Sequence, residues 1–307
     1  MKTMKSKICS LVTKALAITF FAVITIQGSL FASGNKGSKI GGVQVGTITY
    51  SFRSMPDQTI TGVLNDATNA GLSSIELMGG AVEQYAGIPQ SNDAQAIRQW
   101  RASVSMDKFK EIRKMFNKKG IKINILKLGD SKWSDEEIDY AFNVSNVLGA
   151  KGITMEISEE AAARMEPFAE KHHSLAIFHN HSQPGDPNFS FDKVLAIGPK
   201  IMLNLDCGHY FGATGLNPCI IIERLHNRIV SFHLKDKTGP KAAAPNKNQV
   251  WGQGETPLAE ILQFVQKKGY PITCDIELEY TVPEGSDAVK EVAKCLDYCR
   301  NALTVKK

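Results

Sequence analysis

Hydrophobic positions in this chain follow two alternating rhythms. Short apolar runs rich in β-branched residues are each followed by a polar stretch and then by a segment whose apolar residues recur at helical spacing. The first rhythm predicts buried strands and the second amphipathic helices. Strands are expected at Val43–Tyr50, Ser74–Leu77, Lys122–Leu126, Gly152–Ile157, Leu175–His179, Ile201–Leu205, Ile229–Leu234 and Ile272–Leu278. Helices are expected at Thr61–Ala70, Met106–Lys119, Glu136–Leu148, Glu160–Lys171, Pro218–Leu225, Pro257–Lys268 and Asp287–Leu303. Gly71, Gly120, Gly149 and Gly269 stand where helices should stop. Strand and helix alternating in this way specify a parallel sheet. Eight such units in one domain-sized chain predict a single (β/α)8 TIM barrel, with an open doubly wound sheet as the other solution. No GxGxxG follows the first strand and no GxxxxGK occurs, so a nucleotide fold lacks its motif.

The first residues follow a different pattern. Lys2, Lys5, Lys7 and Lys14 precede an apolar run from Ala15 to Ile26, and small residues follow at Ala32 and Ser33. That order predicts a signal peptide over residues 1–32, a flexible segment over 33–42 and the barrel over 43–307. The apolar run is short of the ~20 residues a membrane span needs, so no stable membrane insertion is expected after cleavage. The predicted destination is export to the periplasm.

Removing that leader changes the charge balance. The chain carries 36 basic and 31 acidic residues, and four of the basic ones lie in the leader with no acid beside them. The remainder has a net charge of +1. No electrostatic case for nucleic acid remains. Beyond the leader lie Cys207, Cys219, Cys274, Cys295 and Cys299, without CxxC or zinc-ribbon spacing, and they are expected as buried thiols.

Chemistry concentrates at the ends of the late strands, where barrels of this kind place their sites. The fourth strand ends in Glu156, the fifth in His179-Asn180-His181, the sixth in Asp206 with His209 shortly after, the seventh in His233-Leu234-Lys235-Asp236 and the eighth in Glu277-Leu278-Glu279. A buried carboxylate is costly unless paired or metal-bound. Five consecutive strands ending this way predict a divalent site of mixed carboxylate and imidazole ligands, suited to Mn²⁺, Mg²⁺, Co²⁺ or Zn²⁺. Glu76, alone at an earlier strand end, reads as a surface or ion-pair residue or a substrate contact. Lys127, His181, His209 and Trp251 are further candidates for contacting substrate. Lys235 is expected either to face the reacting atoms or to pair with a carboxylate at the mouth.

The motifs IFHNHS (177–182), LNLDCGHYF (203–211), FHLKDKT (232–238), WGQGETPL (251–258) and DIELEY (275–280), in this order, resemble the xylose-isomerase-like barrels. That superfamily includes sugar isomerases, ketose 3-epimerases, inosose dehydratases and relatives of endonuclease IV. The resemblance spans roughly Val43 to Leu303. It implies a divalent metal held by Glu156, Asp206, His233 and Glu277, with His181 competing with Glu156 for the fourth position. It implies Glu156 and Glu277 as the acid/base pair, with Lys235 assisting, and a sugar or polyol as the small-molecule partner. The expected activity is isomerisation or epimerisation through an enediolate on a free or oxidised sugar. A keto-sugar lyase or dehydratase is the close alternative, and a non-catalytic sugar-binding barrel is the alternative of another class. The endonuclease branch implies a basic groove, against which the near-zero charge speaks.

Overall fold

The computed structural model describes residues 37–304, so the predicted signal peptide lies outside the described residues. Eight parallel strands form the framework: β1 (Val43–Ile48), β2 (Ser74–Met78), β3 (Lys122–Lys127), β4 (Gly152–Glu156), β5 (Leu175–His179), β6 (Ile201–Asp206), β7 (Ile229–Leu234) and β8 (Thr273–Ile276). Each pairs in parallel with the next, and β8 closes onto β1 through Cys274↔Val45 and Ile276↔Thr47. A sheet that closes on itself leaves no parallel edge, so the chain is one (β/α)8 barrel rather than an open sheet.

The helices begin and end for local reasons. Ser134 accepts from the Glu137 amide while Glu137 reaches back to the Ser134 amide, a capping box opening helix Asp135–Leu148. Thr59, Ser158 and Asn217 cap helices Ile60–Asn69, Glu159–Lys171 and Pro218–Leu225. Gly149 and Gly269 end two helices in the left-handed conformation that a side chain would strain. The main core lies between barrel and helices, where Phe109, Phe116, Phe142, Leu262 and Val265 are fully buried.

Four features depart from the expectations. Residues 37–42, expected to be loose, are ordered: Lys39–Ile40 pairs antiparallel with the start of β1, and the Ser38 hydroxyl donates to the Val45 carbonyl. Burial of Ser38 and Ile40 explains why this stretch is fixed. The first strand ends at Ile48, before a 3₁₀ turn over Thr49–Phe52. The eighth strand is shorter than expected because side chains take over its partners. Thr47 Oγ1 donates to the Ile276 carbonyl, and the Leu278 amide donates to Ser51 Oγ. Finally, helices Gly79–Ala86, Ala94–Ser103, Phe191–Leu195 and Cys207–Thr214 fill segments for which no helix was expected.

Candidate metal centre

Asp206 ends β6 and also caps helix Cys207–Thr214, accepting the His209 amide at 2.7 Å through Oδ1. Its backbone is held by Asn180, whose amide group accepts from the Asp206 N–H at 3.0 Å and donates to the Asp206 carbonyl at 3.2 Å. With Oδ1 and the backbone committed, Oδ2 is left facing His179 Nε2 at 3.2 Å and Lys235 Nζ at 2.9 Å.

His233 comes from β7. Its Nε2 lies 2.6 Å from Glu76 Oε2, and its Nδ1 lies 2.9 Å from Glu277 Oε2. Glu76 is fully buried and accepts from Thr154 Oγ1 at 2.6 Å and from Asn204 Nδ2 at 2.8 Å. These partners come from β2, β4, β6 and β7, which are not all neighbours, so they meet in the barrel interior. A carboxylate behind the far nitrogen of an imidazole fixes which nitrogen carries the proton and aims the other. Here Glu76 claims Nε2 and turns Nδ1 toward Glu277.

His179, Asp206, His233 and Glu277 are all buried, and one ligand atom from each lies within 4.8 Å of the others. Their donor chemistry, two imidazoles and two carboxylates, suits a borderline divalent ion. A further observation tests the fit. His233 Nδ1 and Glu277 Oε2 are both buried and have no aligned hydrogen bond despite their closeness. Buried polar atoms are normally satisfied. Glu277 Oε2 also has Lys235 Nζ at 2.7 Å, but the buried ring nitrogens His233 Nδ1 and His179 Nδ1 have no aligned hydrogen bond, and two such imidazoles grouped with two carboxylates fit a metal.

Electrostatics at the site are dominated by paired charges. Burial opposes ionisation of Glu277, yet His233 and Lys235 outweigh it and hold the carboxyl far below its usual range. Asp206 is likewise held low by Lys235 and His209 against its burial. Burial also opposes charge on His233, but Glu277 and Glu76 raise it well above the usual imidazole range. His209 is driven the other way, down to about 4, chiefly by burial.

Glu156 is placed apart from the other three expected ligands. Its side chain is 54% exposed and stands outside the buried four. It pairs instead with Lys127 Nζ at 2.9 Å and His181 Nε2 at 2.9 Å. The fourth buried position belongs to His179, not to Glu156 or His181. The reason is register: Glu156 lies directly beside His179 across the β4–β5 pair, and His179 in turn beside Asn204. His179 therefore stands one strand nearer Asp206. Glu156, His179 and His181 form a second, rim-side group that shares His179.

Glu76 is not a surface residue but an interior one, and its contacts are to His233, Thr154 and Asn204. Lys127 is at the rim against Glu156. The His181 and His209 rings lie 4.8 Å apart beside His179. Trp251 is buried with its ring edge-on to Tyr298 at 5.6 Å, which makes it a packing residue of the loop rather than an open wall. The sequence reading missed Asn180, Thr154 and Asn204 as positioning residues. Their signal was two-residue spacing from site residues on the same strands, or adjacency within the HNH triplet.

Residues 154–299 match the family model described as "Xylose isomerase-like TIM barrel". Solved structures share the fold at low identity. One, a sugar phosphate isomerase/epimerase from Parabacteroides distasonis, is 18% identical, covers 91% of this chain and 98% of its own, and superposes with a TM-score of 0.61. A probable 3-DHS dehydratase from Bacillus anthracis is 16% identical over 83% of this chain and 98% of its own, with a TM-score of 0.59. A D-psicose 3-epimerase structure is 13% identical over 86% of this chain and 100% of its own, with a TM-score of 0.58. No curated protein matches the chain.

Proposed function

We propose that this chain, whose residues 154–299 match the model of the xylose isomerase-like TIM barrels, is a divalent-metal-dependent sugar isomerase or epimerase. The observation that carries this reading is the buried convergence of His179, Asp206, His233 and Glu277, one ligand atom of each lying within 4.8 Å of the others. These four residues would hold the ion. When bound, it supplies Lewis acidity that polarises a carbonyl and stabilises a developing enediolate.

The protein's own groups do the remaining work. Glu277, just beyond β8 and among the buried four, is the carboxylate that would accept an α-proton from a sugar in the mouth. Glu156, which accepts from Lys127 and lies 2.9 Å from His181 Nε2, would be the second proton-carrying site. Asn180 and Glu76 orient Asp206 and His233 without reaching the mouth themselves. Returning the proton to the opposite face gives epimerisation, and returning it to the adjacent carbon gives isomerisation.

A second reading, elimination from a keto-sugar, is favoured by Lys235. Its ammonium is only 2% exposed and lies among the site carboxylates, where it can donate to a departing oxygen. A probable 3-DHS dehydratase is among the proteins of similar fold. Proton NMR of a sugar and keto-glycoside panel in D₂O with Mn²⁺ separates the readings. Deuterium at the α-carbon with a new stereoisomer is the expected result, and an unsaturated product would assign elimination. Glu277→Gln is expected to lower exchange by about 10²-fold or more, the usual weight of a positioned acid or base. Retention of full exchange in that variant would remove Glu277 from the mechanism.

We extend the proposal to location, with residues 1–32 as a cleaved export signal and the periplasm as destination. N-terminal sequencing of the exported chain should start near Ser33, and a chain found only with Met1 intact would refute it.

A further inference from the structure

Lys235 occupies an unusual position for a lysine. It is nearly fully buried, and its Nζ touches three carboxylates: Asp206 Oδ2 at 2.9 Å, Glu277 Oε2 at 2.7 Å and Glu279 Oε2 at 2.7 Å. The first two oxygens are the same atoms that face the ring nitrogens. Asp206 Oδ2 is the one beside His179 Nε2, and Glu277 Oε2 is the one beside His233 Nδ1. An ion bound to both oxygens would thus be separated from the ammonium by a single shared atom on each side. Two cations on the same pair of oxygens repel strongly in a site with little water to screen them.

Glu279 differs from the other two carboxylates. It lies two residues beyond Glu277, is partly exposed, and belongs to no ligand group. Asn248 Nδ2 stands 3.4 Å from both its carboxylate and its carbonyl. It gives Lys235 an acceptor that the ion does not need.

We propose that Lys235 is a built-in competitor for the divalent ion, drawing on the same oxygens of Asp206 and Glu277, and that Glu279 is the acceptor it retains when the ion takes them. This rests on the metal-dependent reading of the site and adds a device that sets how tightly the ion is held. The geometry makes the device specific to Lys235. Lys127, the other lysine paired to a mouth carboxylate in the second group, contacts Glu156 and none of the buried four at ion-pair distance.

The test is Mn²⁺ binding to chelator-treated full-length protein, read by calorimetry and by the EPR signal of free Mn²⁺, with no turnover involved. Lys235→Met removes the competing cation and is expected to bind Mn²⁺ at least about tenfold more tightly. Lys235→Gln, which keeps a hydrogen-bond donor, is expected to change in the same direction and serves if the Met variant does not fold. Glu279→Gln is expected to weaken binding in the wild-type background and to have no effect in the Lys235→Met background. Lys127→Met is the control and is expected to change affinity little.

Unchanged or weaker binding in both Lys235 variants overturns the inference while leaving the metal reading intact. So does equal tightening by Lys127→Met, or a Glu279 effect that persists without Lys235. Binding by Lys235→Met when wild type shows none supports the inference outright. Absence of Mn²⁺ binding in wild type and both Lys235 variants overturns this inference together with the reading on which it rests.

Discussion

Glu76 never reaches the mouth of the barrel, yet it decides which nitrogen of His233 does. The carboxylate accepts from Thr154 and Asn204 and stands 2.6 Å from His233 Nε2, so the imidazole has one orientation available. Removing such a partner from a metal-bound histidine usually costs about 10–100-fold in metal affinity. Glu76→Gln is expected to fall in that range when Mn²⁺ binding is followed by calorimetry, while the far-ultraviolet circular dichroism stays that of wild type. Undiminished affinity would mean that the buried carboxylate serves packing alone. Lys235 and Asn180 show the same logic from other directions, one holding charge in place and the other holding backbone.

At the scale of single elements, helix Cys207–Thr214 shows how closely the site is built. Gly208 approaches the residue after β7 so closely that a Cβ there would overlap Cγ and the carbonyl of Lys235. That glycine is what lets Asp206 end a strand and cap a helix at once. Helix Ile60–Asn69 carries the opposite kind of feature, a charge in an unfavourable place. Asp66 lies in its last turn, where the helix dipole disfavours an anion. Burial, Asp57 and Asp287 raise its pKa from 3.8 to about 6. A carboxyl whose folded-state pKa is raised keeps its proton longer in the native state. Stability therefore falls as pH rises from about 4 to about 6, and the loss is complete above that window. Asp66→Asn should remove the effect. With discount for the solvent that reaches this side chain, the variant is expected to be about 1 kcal/mol more stable at pH 7.5 and no more stable at pH 3.5. Urea denaturation at the two pH values measures it, and equal differences at both would contradict the assignment.

Across the whole molecule, barrel closure brings residues distant in sequence into one layer, and one loop is tied to that layer. Asp236, directly after Lys235, accepts backbone amides from Gly252 at 2.8 Å, Gly254 at 3.0 Å and Thr256 at 3.2 Å. Trp251 is thereby held against Tyr298 and the final helix. Asp236→Asn replaces a charged acceptor by a neutral one across three bonds, and hydrogen bonds to charged groups are worth about 1.5–3 kcal/mol each at most. Hydrogen exchange at residues 250–256 should rise by at least about tenfold in that variant, a local opening rather than global unfolding. Unaltered protection there would show that the loop is fixed by the packing of Trp251 instead.

How much of this was legible in sequence differs between fold and site. Periodicity and glycine stops placed all eight strands and seven of the helices, because burial of alternate or helically spaced residues is a local property that pattern records directly. The ends of strands moved where side chains such as Thr47 and Ser51 took over hydrogen bonds, which pattern does not show. Asp206, His233 and Glu277 could be singled out because costly polar residues interrupt apolar strands. Which imidazole joins them was a question of register between strands. His179 and Glu156 are side by side, and only the stagger of β4, β5 and β6 puts one in the buried group and the other at the rim. Glu76 was likewise an isolated acid in sequence, and closure of β2 into the barrel made it the partner of a histidine 157 residues away. The chain's local pattern thus determined the elements and most of the chemistry at their ends. Tertiary structure alone decided which of those groups share an interior, because proximity across a closed sheet depends on stagger and not on sequence distance.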